Sequence, residues 1–428
     1  VAADLVHERL QLERHLRRKF RLLIRAGRIH RLVYDEWEYK LNNNHEIYNL
    51  DVSGTTSVSL KLEPFVHQVG GHSSMLCLDE ATVGKPLLVR EKAFYENLPE
   101  ILVPFTAQYR GTIQVTCNED AGGYLTLTTF PPAGYIAYEG TMPVKHRIKW
   151  HHGICIDIEC VETSSDEDIF EDDTSMTPVS SSPCVEHSIE RRPSHSHNPW
   201  ILHCHRGHIA KMLGLDVDAI HSQQSHSPCH FENLPSFEFL LLENLTWRRK
   251  RPCVLDVKMG TRQYGDDAPE SKRRSQSLKV ENSTSGSLGI RLCGMQVFQV
   301  STNKYLCRNK YYGRSLTDDG LRCSLAQFFH NGERLRTDIF LLLLDRLNRL
   351  LAVISQLDSY RLFTSSLLII YDGLDGQPSE IDVRIIDFAH ATQRDMTAES
   401  QTYTGPDDGF IFGLKSLIEL IEELSKKE

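Results

Sequence analysis

Runs of apolar residues and their alternation with polar ones predict two sheet-forming regions in this chain, with a polar stretch between them. In the first region, residues 64–88 predict a strand, a turn at Gly70-Gly71 and a second strand, and residues 109–127 predict further strands. Residues 91–98 predict a short helix between these strands. The first region is therefore expected to be a lobe built on an antiparallel sheet.

The second region begins at residues 237–245, an apolar run that predicts a buried strand. Residues 337–358 combine a wide apolar face with charged positions, which predicts a long core helix. Residues 365–371 and 380–390 predict a β-hairpin, because apolar and polar residues alternate along the second of them.

The polar stretch between the regions predicts an insertion. Residues 161–198 are mainly Ser, Asp, Glu, Pro and Thr, and so few apolar residues cannot offset the entropy cost of folding, which predicts disorder. A histidine-rich part continues to residue 232, and its Cys and His residues lack the spacing of structural zinc sites. Within it, residues 200–213 predict a helix.

Residues 1–45 form a basic amphipathic extension, in which leucines are interspersed with arginines. This pattern predicts a helix that contacts a protein partner or a membrane surface. The alternatives are a helix that packs on the body of the protein and a poorly ordered extension.

Charge and cysteine usage narrow the class of protein. A formal net charge of -9 argues against a general nucleic-acid binder, whose domain is usually basic. The 11 cysteines lack paired CxxC spacing, which indicates reduced thiols and predicts a cytoplasmic or nuclear location. The sequence has no apolar run long enough to span a bilayer, so no transmembrane segment is expected.

A local cationic patch nevertheless surrounds residues 252–260, which place an acid and a base on one apolar strand. Residues two apart on a strand share a face and are about 7 Å apart, so Asp256 and Lys258 are expected to project together. Leu255 and Val257 are expected to pack behind them. This geometry suits phosphate transfer, since one side chain can hold a nucleotide while the other holds an anionic acceptor.

The pattern P-x-x-x-D-x-K-x-G in residues 252–260 resembles the signature of the inositol polyphosphate kinases. Its continuation over residues 261–268, T-R-Q-Y-G-D-D-A, resembles the inositol hexakisphosphate kinase branch, and S-L-L at 366–368 and I-D-F at 386–388 resemble further motifs of the family. The resemblance implies an α+β fold of two lobes, distantly related to protein kinases, with an antiparallel sheet in each lobe.

The predicted organisation follows from this resemblance and from the composition. We expect an extension over residues 1–45, an amino-terminal lobe over 46–160 and the disordered, histidine-rich insertion over 161–232. Residues 233–428 are expected to hold the hinge, an inositol-phosphate-binding segment and the carboxy-terminal lobe.

The resemblance also implies roles for individual residues, with ATP and Mg²⁺ as cofactors. Lys258 and Asp387 are the predicted catalytic residues, and Asp387 is also the predicted metal ligand. The predicted ATP-binding residues are Lys85, Ser73, Glu243, Asn244, Leu245, Asp256 and Asp387. The predicted acceptor-binding residues are Lys258, Lys272, Arg273, Arg274, Lys279 and His390.

The implied activity is phosphorylation of inositol hexakisphosphate to a diphosphoinositol pentakisphosphate. The chain has neither a Walker A motif nor the H-R-D triplet that carries the protein-kinase base. An acceptor phosphate needs no such base, because it is already largely ionised at neutral pH. Two alternatives stay open: a multikinase or trisphosphate kinase that acts on a ring hydroxyl, and a catalytically silent scaffold that binds inositol phosphates.

Overall fold

The computed structural model of the protein describes residues 48–50, 56–71, 73–119, 124–130, 146–151, 155–160, 170–171, 194–195, 199–212, 236–374, 380–393 and 403–426. The chain divides into two units, residues 1–60 and 61–428. In the first unit, Tyr48–Leu50 pairs antiparallel with Thr56–Val58. The helix predicted within residues 1–45 lies outside the described residues.

The strands are β1 (Tyr48–Leu50), β2 (Thr56–Val58), β3 (Leu60–Lys61), β4 (Glu63–Pro64), β5 (Leu76–Asp79), β6 (Thr82–Pro86), β7 (Tyr109–Glu119), β8 (Tyr124–Thr129), β9 (His146–His151), β10 (Cys155–Cys160), β11 (Phe170–Glu171), β12 (Ser194–His195), β13 (Ser236–Glu243), β14 (Pro252–Met259), β15 (Ile290–Gln299), β16 (Lys304–Arg308), β17 (Ser366–Asp372) and β18 (Asp382–Ile386). The helices are α1 (Val89–Glu96), α2 (Pro199–Met212), α3 (Glu270–Glu281), α4 (Thr284–Ser287), α5 (Lys310–Ser315), α6 (Asp318–Phe328), α7 (Phe340–Ile354) and α8 (Asp408–Ser425), with 3-10 turns at Glu100–Phe105 and Thr337–Ile339.

The first sheet belongs to the amino-terminal lobe and has the strand order β10-β9-β8-β7-β13-β6-β5-β4. Strand β13 lies inside it, between β7 and β6, and Phe239, Leu240 and Leu241 are almost fully buried. A strand that is covered on both faces needs a continuous apolar run, and this run has that character. The lobe boundary therefore falls after Glu243, and not at residue 233 as expected from the sequence.

The segment at residues 64–88 differs from its prediction of two strands around one turn. The first predicted strand is only Glu63–Pro64, and the second is divided into β5 and β6, which pair antiparallel. The Asp79 carboxylate accepts a hydrogen bond from the Ala81 amide at 2.8 Å, which stabilises the turn between them. Asp and Asn side chains commonly form such turns, so the break has a local cause.

The second sheet has the strand order β12-β11-β16-β15-β14-β17-β18. Its neighbouring strands are antiparallel, apart from the two-residue parallel pair of β11 with β16. On one face, Leu255 and Val257 of β14 belong to the main hydrophobic core, together with Leu343 and Leu347 of α7. The predicted hairpin and core helix are thereby confirmed, and the opposite face of β14 is left for Val254, Asp256 and Lys258.

The prediction of disorder for the insertion is wrong for two short pieces of residues 161–198, whereas the helix predicted over residues 200–213 is confirmed. Strands β11 and β12 join the second sheet, and α2 is a helix close to the predicted bounds of 200–213. Helix α2 buries Ile201, Cys204 and Ile209, whose spacing of three to five residues places apolar groups toward the protein. The other residues of the predicted insertion lie outside the described residues.

Strand β18 ties the two lobes together. The guanidinium of Arg384 donates to the carbonyl of Thr106 at 2.6 Å, and that of Arg346 donates to the carbonyl of Pro104 at 2.8 Å. Both guanidinium groups also pair with the carboxylate of Asp382, at 2.9 and 3.0 Å. These bonds fix the start of β18 against the amino-terminal lobe, and β18 ends immediately before Asp387. Among the described residues, we find no helix both long and apolar enough to cross a membrane.

Candidate active site

A lysine and two carboxylates from different elements meet between the lobes. Lys85 lies at the end of β6, and its ammonium donates to Glu91 of α1 at 2.9 Å and to Asp387 at 2.5 Å. The Glu91 side chain is 1% exposed, whereas that of Asp387 is 34% exposed. Burial alone would lower the pKa of Lys85, but the two carboxylates outweigh burial and raise it above its ordinary value. Lys85 is therefore a fixed cation, and Asp387 faces accessible space.

Aromatic packing holds this ion cluster in place. Phe388 is fully buried and stacks on Phe94 of α1, with ring centroids 4.3 Å apart, while Tyr95 meets the same ring edge-on at 5.3 Å. The amide of Phe388 also donates to the Glu91 carboxylate at 3.2 Å. Helix α1 thus contacts the Asp387-Phe388 pair through both its acid and its aromatic residues.

Asp387 has a left-handed backbone conformation, with φ of 67°. Few residue types other than glycine adopt this region, and Asp and Asn are the usual exceptions. The conformation turns the chain sharply at the end of β18. The carboxylate consequently points back toward Lys85 and does not continue the alternation of the strand.

Strand β14 brings Asp256 close to this cluster. Asp256 is 4% exposed and pairs across from Leu368 of the neighbouring strand β17, close to the hydroxyl of Ser366. Burial raises the pKa of Asp256 to about 7, and the negative charge of Asp387 adds to the rise, while Lys258 and Lys85 oppose it. Asp256, Asp387, Lys258 and Lys85 are thus electrostatically coupled in one cleft.

A glycine-containing loop covers Asp256. We call residues 68–71 and 73–75 the Gly70 loop. A side chain at Gly70 would clash with the Asp256 carboxylate, since its Cβ would lie 2.0 Å from Oδ2. Likewise, a Cβ at Gly294 of β15 would lie 1.8 Å from the Val69 carbonyl oxygen. Glycine is therefore required at both positions, because the loop backbone packs directly on the sheet.

The two serines of this loop differ in accessibility. Ser73 is exposed, and its backbone carbonyl accepts a hydrogen bond from the side-chain amide of Gln68 at 2.8 Å. Ser74 is fully buried, and its hydroxyl lies 2.9 Å from Nδ1 of His205. Of these two serines, only Ser73 has a side chain accessible to a ligand, so its predicted role in ATP binding stays a prediction.

The predicted hinge follows β13. The amides of Glu243 and Asn244 donate to the carbonyls of Gln108 and Ala81, and the Asn244 side chain donates to Glu80 O at 2.7 Å. Asn244 is thereby committed to the scaffold. Leu245 instead packs beside a small apolar cluster of Val69, Val254, Ile370 and Leu368. This cluster is a suitable floor for a flat apolar group such as a purine ring, next to Asp256.

On the other side of Asp256, the cleft is cationic. The Lys258 ammonium donates to the carbonyl of Thr364 at 2.9 Å, which holds the side chain in one direction. Arg291 of β15 pairs across from Lys258 and is 6% exposed. Burial lowers the pKa of Arg291, and the guanidinium of Arg314 lowers it further. Such a concentration of cations is costly to bury without an anion.

His390 and the residues after β14 extend this cationic side. A Cβ at Gly265 would lie 2.7 Å from Nδ1 of His390, so the turn over residues 261–268 packs on the imidazole. Burial lowers the pKa of His390, and the positive charges of Lys272 and Lys258 are among the further causes. His390, Lys272 and Lys258 therefore lie within electrostatic reach of one another.

Helix α3 carries four of the predicted acceptor-binding residues, and they are placed differently. Lys272 and Lys279 are exposed and lie seven residues apart, which puts them on one face of the helix. Arg273 donates to the carbonyls of Ala268 and Asp266, at 2.7 and 2.5 Å, and so stabilises the preceding turn. Arg274 is exposed on another face and pairs with Glu270 at 2.8 Å. The geometry favours Lys272 and Lys279 as the ligand-facing pair.

The carboxylates of the cleft fit a hard divalent cation such as Mg²⁺. Such a cation prefers oxygen ligands, and Mg²⁺ typically takes one or two carboxylates and completes its shell with water and phosphate oxygens. Asp387 offers a partly exposed carboxylate, and Oδ1 of Asp256 is buried without a hydrogen-bond partner. In the part of the chain that the structure describes, no group of three or more His, Cys, Asp or Glu residues is arranged to hold a metal. A metal held jointly by a carboxylate and a ligand's phosphates is compatible with this arrangement.

The structure brings most of the predicted residues into one cleft and adds two that sequence reasoning missed. Glu91 was missed because its role depends on a contact between α1 and β6. The sequence did contain a signal, since Glu91 is an acidic residue in the first turn of the helix that follows the strand of Lys85. Arg291 was missed too; its signal was a charge inside the apolar strand Ile290–Gln299. Together the residues form two parts of the cleft. Lys85, Asp387 and the hinge form a part suited to a nucleotide, and the residues beyond Lys258 form a cationic part.

Comparison with known proteins identifies relatives of this chain. Residues 239–422 match the family described as inositol polyphosphate kinase. The chain is 38% identical over 406 residues to inositol hexakisphosphate kinase 3 of Mus musculus. The alignment covers 88% of this chain and 98% of that protein. It is 36% identical over 438 residues to inositol hexakisphosphate kinase 1 of Rattus norvegicus, with 88% of this chain and 96% of that protein covered.

Among solved structures, one similar chain is the inositol phosphate multikinase Ipk2 of S. cerevisiae in complex with ADP and Mn²⁺. The sequence identity is 28% and the TM-score is 0.38, with 44% of this chain and 84% of that chain covered.

Proposed function

This chain belongs to the inositol polyphosphate kinase family, and from that premise we propose that it transfers the γ-phosphoryl group of ATP to a phosphate of inositol hexakisphosphate. The product is a diphosphoinositol pentakisphosphate. The observation that carries the proposal is the position of Lys258, between the Lys85–Asp387 pair and the cations around His390. The relatives named inositol hexakisphosphate kinase, at 36–38% identity over most of the chain, support the choice of acceptor.

On the nucleotide side, Lys85 would hold the phosphates of ATP and Asp387 would hold Mg²⁺. The ion, when bound, offsets the charge that the transferred group and the leaving phosphate share. The hydroxyl of Ser73 and the backbone of the Gly70 loop approach the phosphates from above. The backbone near Glu243 and Leu245 meets the adenine edge, and Asp256 accepts from the ribose.

On the acceptor side, the main obstacle is repulsion between two polyanions. A phosphate monoester with a second pKa near 6 is mostly ionised at neutral pH, so it attacks without a general base. Lys258, Lys272 and Lys279 offset the negative charge of the acceptor, and His390 helps to orient it. Lys258 contacts both the attacking and the transferred phosphate, which makes it the catalytic cation.

The experiment incubates the purified chain with ATP, Mg²⁺ and either inositol hexakisphosphate or an inositol trisphosphate, and separates the products by chromatography. We expect a product more acidic than inositol hexakisphosphate, its loss in the Asp387→Asn protein and its retention in the exposed control Arg274→Ala. Phosphorylation of the trisphosphate alone would indicate a ring-hydroxyl kinase. Binding of inositol hexakisphosphate without turnover would indicate a silent scaffold.

A further inference from the structure

Helix α2, which interrupts the predicted disordered insertion, contacts the Gly70 loop directly. Nδ1 of His205 lies 2.9 Å from the hydroxyl of Ser74, and the two residues are 131 positions apart in the chain. His205 is 1% exposed and Ser74 is fully buried. A hydrogen bond between two buried groups costs more to lose than one at the surface, because both groups would lose a partner without gaining water.

A second histidine of the same helix reinforces the contact. The ring of His208 stacks on Phe239 of β13, with centroids 5.7 Å apart, and lies close to the backbone of Ser74. Burial lowers the pKa of His208 to about 4, so the ring is neutral at physiological pH and stays compatible with the apolar strand. Helix α2 is therefore anchored on the central strand of the lobe and, at the same time, on Ser74.

The opposite side of the Gly70 loop packs on strands β14 and β15. Gly70 lies against the Asp256 carboxylate, and Val69 lies against Gly294. The Gln68 side chain closes the loop from within, since it donates to Gly70 O and Ser73 O at 2.9 and 2.8 Å and accepts from the Met75 amide at 2.9 Å. The loop is thus held between helix α2 on one side and Asp256 on the other.

We propose that His205 is a positioning residue for the nucleotide, through which helix α2 of the insertion holds the Gly70 loop over the ATP phosphates. This inference rests on the proposed function, because it takes the Gly70 loop to cover those phosphates. It assigns the insertion to ATP binding, since α2 contacts the Gly70 loop through His205 and strand β13 through His208.

The test measures steady-state kinetics and, separately, the ATP dissociation constant by titration calorimetry. For His205→Ala, loss of the hydrogen bond is expected to raise both the KM and the dissociation constant for ATP about fivefold to tenfold. The KM for inositol hexakisphosphate and kcat are expected to stay within about twofold. His205→Asn is expected to restore ATP affinity, because its amide reaches the position of Nδ1.

Two further variants separate positioning from a general loss of stability. Ser74→Ala removes the other side of the bond with little change in volume and is expected to match His205→Ala, and the double variant should bind ATP no more weakly than either single variant. Arg206→Ala changes an exposed neighbour on the same helix and is expected to leave ATP affinity unchanged.

Unchanged ATP affinity in both His205→Ala and Ser74→Ala would overturn the inference and leave the proposed function intact. The same conclusion holds if Arg206→Ala weakens ATP binding as much as His205→Ala does. In contrast, a wild-type protein that binds ATP but does not phosphorylate inositol hexakisphosphate would refute the proposed function, while calorimetry on the variants would still decide the role of His205.

Discussion

At the level of single residues, the carboxyl of Asp256 has a strongly raised pKa. Burial and the nearby charge of Asp387 raise its pKa to about 7, while Lys258, Lys85 and the Ser366 hydroxyl favour the ionised form. Its pKa in the unfolded chain is near 3.8. Between these values the folded state binds a proton that the unfolded state releases, so this residue makes the protein more stable as pH falls from about 7 toward 4.

This titration predicts the behaviour of Asp256→Asn in the absence of nucleotide and metal. At pH 8 the variant avoids the cost of a buried carboxylate, and we expect its melting temperature to exceed that of wild type by about 5 °C. The difference should shrink as pH is lowered toward 5. Thermal melts at several pH values measure it, and a variant that is less stable than wild type at pH 8 would contradict the assignment.

Glu91 is a second residue with a prediction of its own. Its carboxylate accepts from both Lys85 and the Phe388 amide, so it fixes a lysine of the first lobe and the residue after Asp387 together. Glu91→Gln keeps the shape but removes the charge, and we expect kcat/KM to fall about tenfold or more as Lys85 loses an ion-pair partner. The exposed Glu96→Gln on the same helix is the matched control. Equal activity of Glu91→Gln and wild type would argue against this role.

At the scale of elements, helix α3 presents different cations on different faces. Lys272 and Lys279 lie on one face, whereas Arg274 is turned away and pairs with Glu270. The double variant Lys272→Ala/Lys279→Ala is therefore expected to raise the KM for inositol hexakisphosphate about tenfold, with the KM for ATP unchanged. Arg274→Ala should change neither constant. A larger effect of Arg274→Ala than of the double variant would assign acceptor binding to the other face.

Some of the helices and strands were predictable from the sequence, and others were not. The hairpin of β17 and β18, the helix within residues 337–358 and strand β14 were predictable, because each has a local apolar period and depends little on distant partners. The place of β13 in the first sheet was not predictable locally, since it depends on pairing with β7 and β6.

In the candidate site, too, positions that depend on contacts between distant elements were not predictable from the sequence. Lys85, Asp256, Lys258 and Asp387 were found through the motifs that contain them. Ser74 could not be separated from Ser73, because only the contact with His205 in a distant helix buries one of them. Glu91 and Arg291 likewise acquire their positions through packing between elements.

At the scale of the whole molecule, one network connects the lobes to the site. Burial alone would raise the pKa of Asp382, but the bond to Arg384 and the positive charges of Arg384, Arg346 and Arg249 together outweigh burial and lower it. The carboxylate is therefore ionised at neutral pH. The guanidinium groups paired with it, those of Arg384 and Arg346, bond to carbonyls of the first lobe. Strand β18 begins at Asp382, so the start of the strand is fixed five residues before Asp387.

According to the proposed function, this cleft joins a phosphate to a phosphate. Phosphorus NMR of the product formed from inositol hexakisphosphate, ATP and Mg²⁺ tests it most directly, because a phosphorus–oxygen–phosphorus linkage gives coupled resonances that a monoester lacks. We predict these coupled signals on the inositol product for wild type and for Arg274→Ala, and their absence for Asp387→Asn and Lys258→Met. Asparagine tolerates the left-handed backbone at residue 387, so that variant tests the charge alone. Two results would be inconsistent with the proposed function. One is a product with only monoester signals, and the other is coupled signals of wild-type strength from both Asp387→Asn and Lys258→Met.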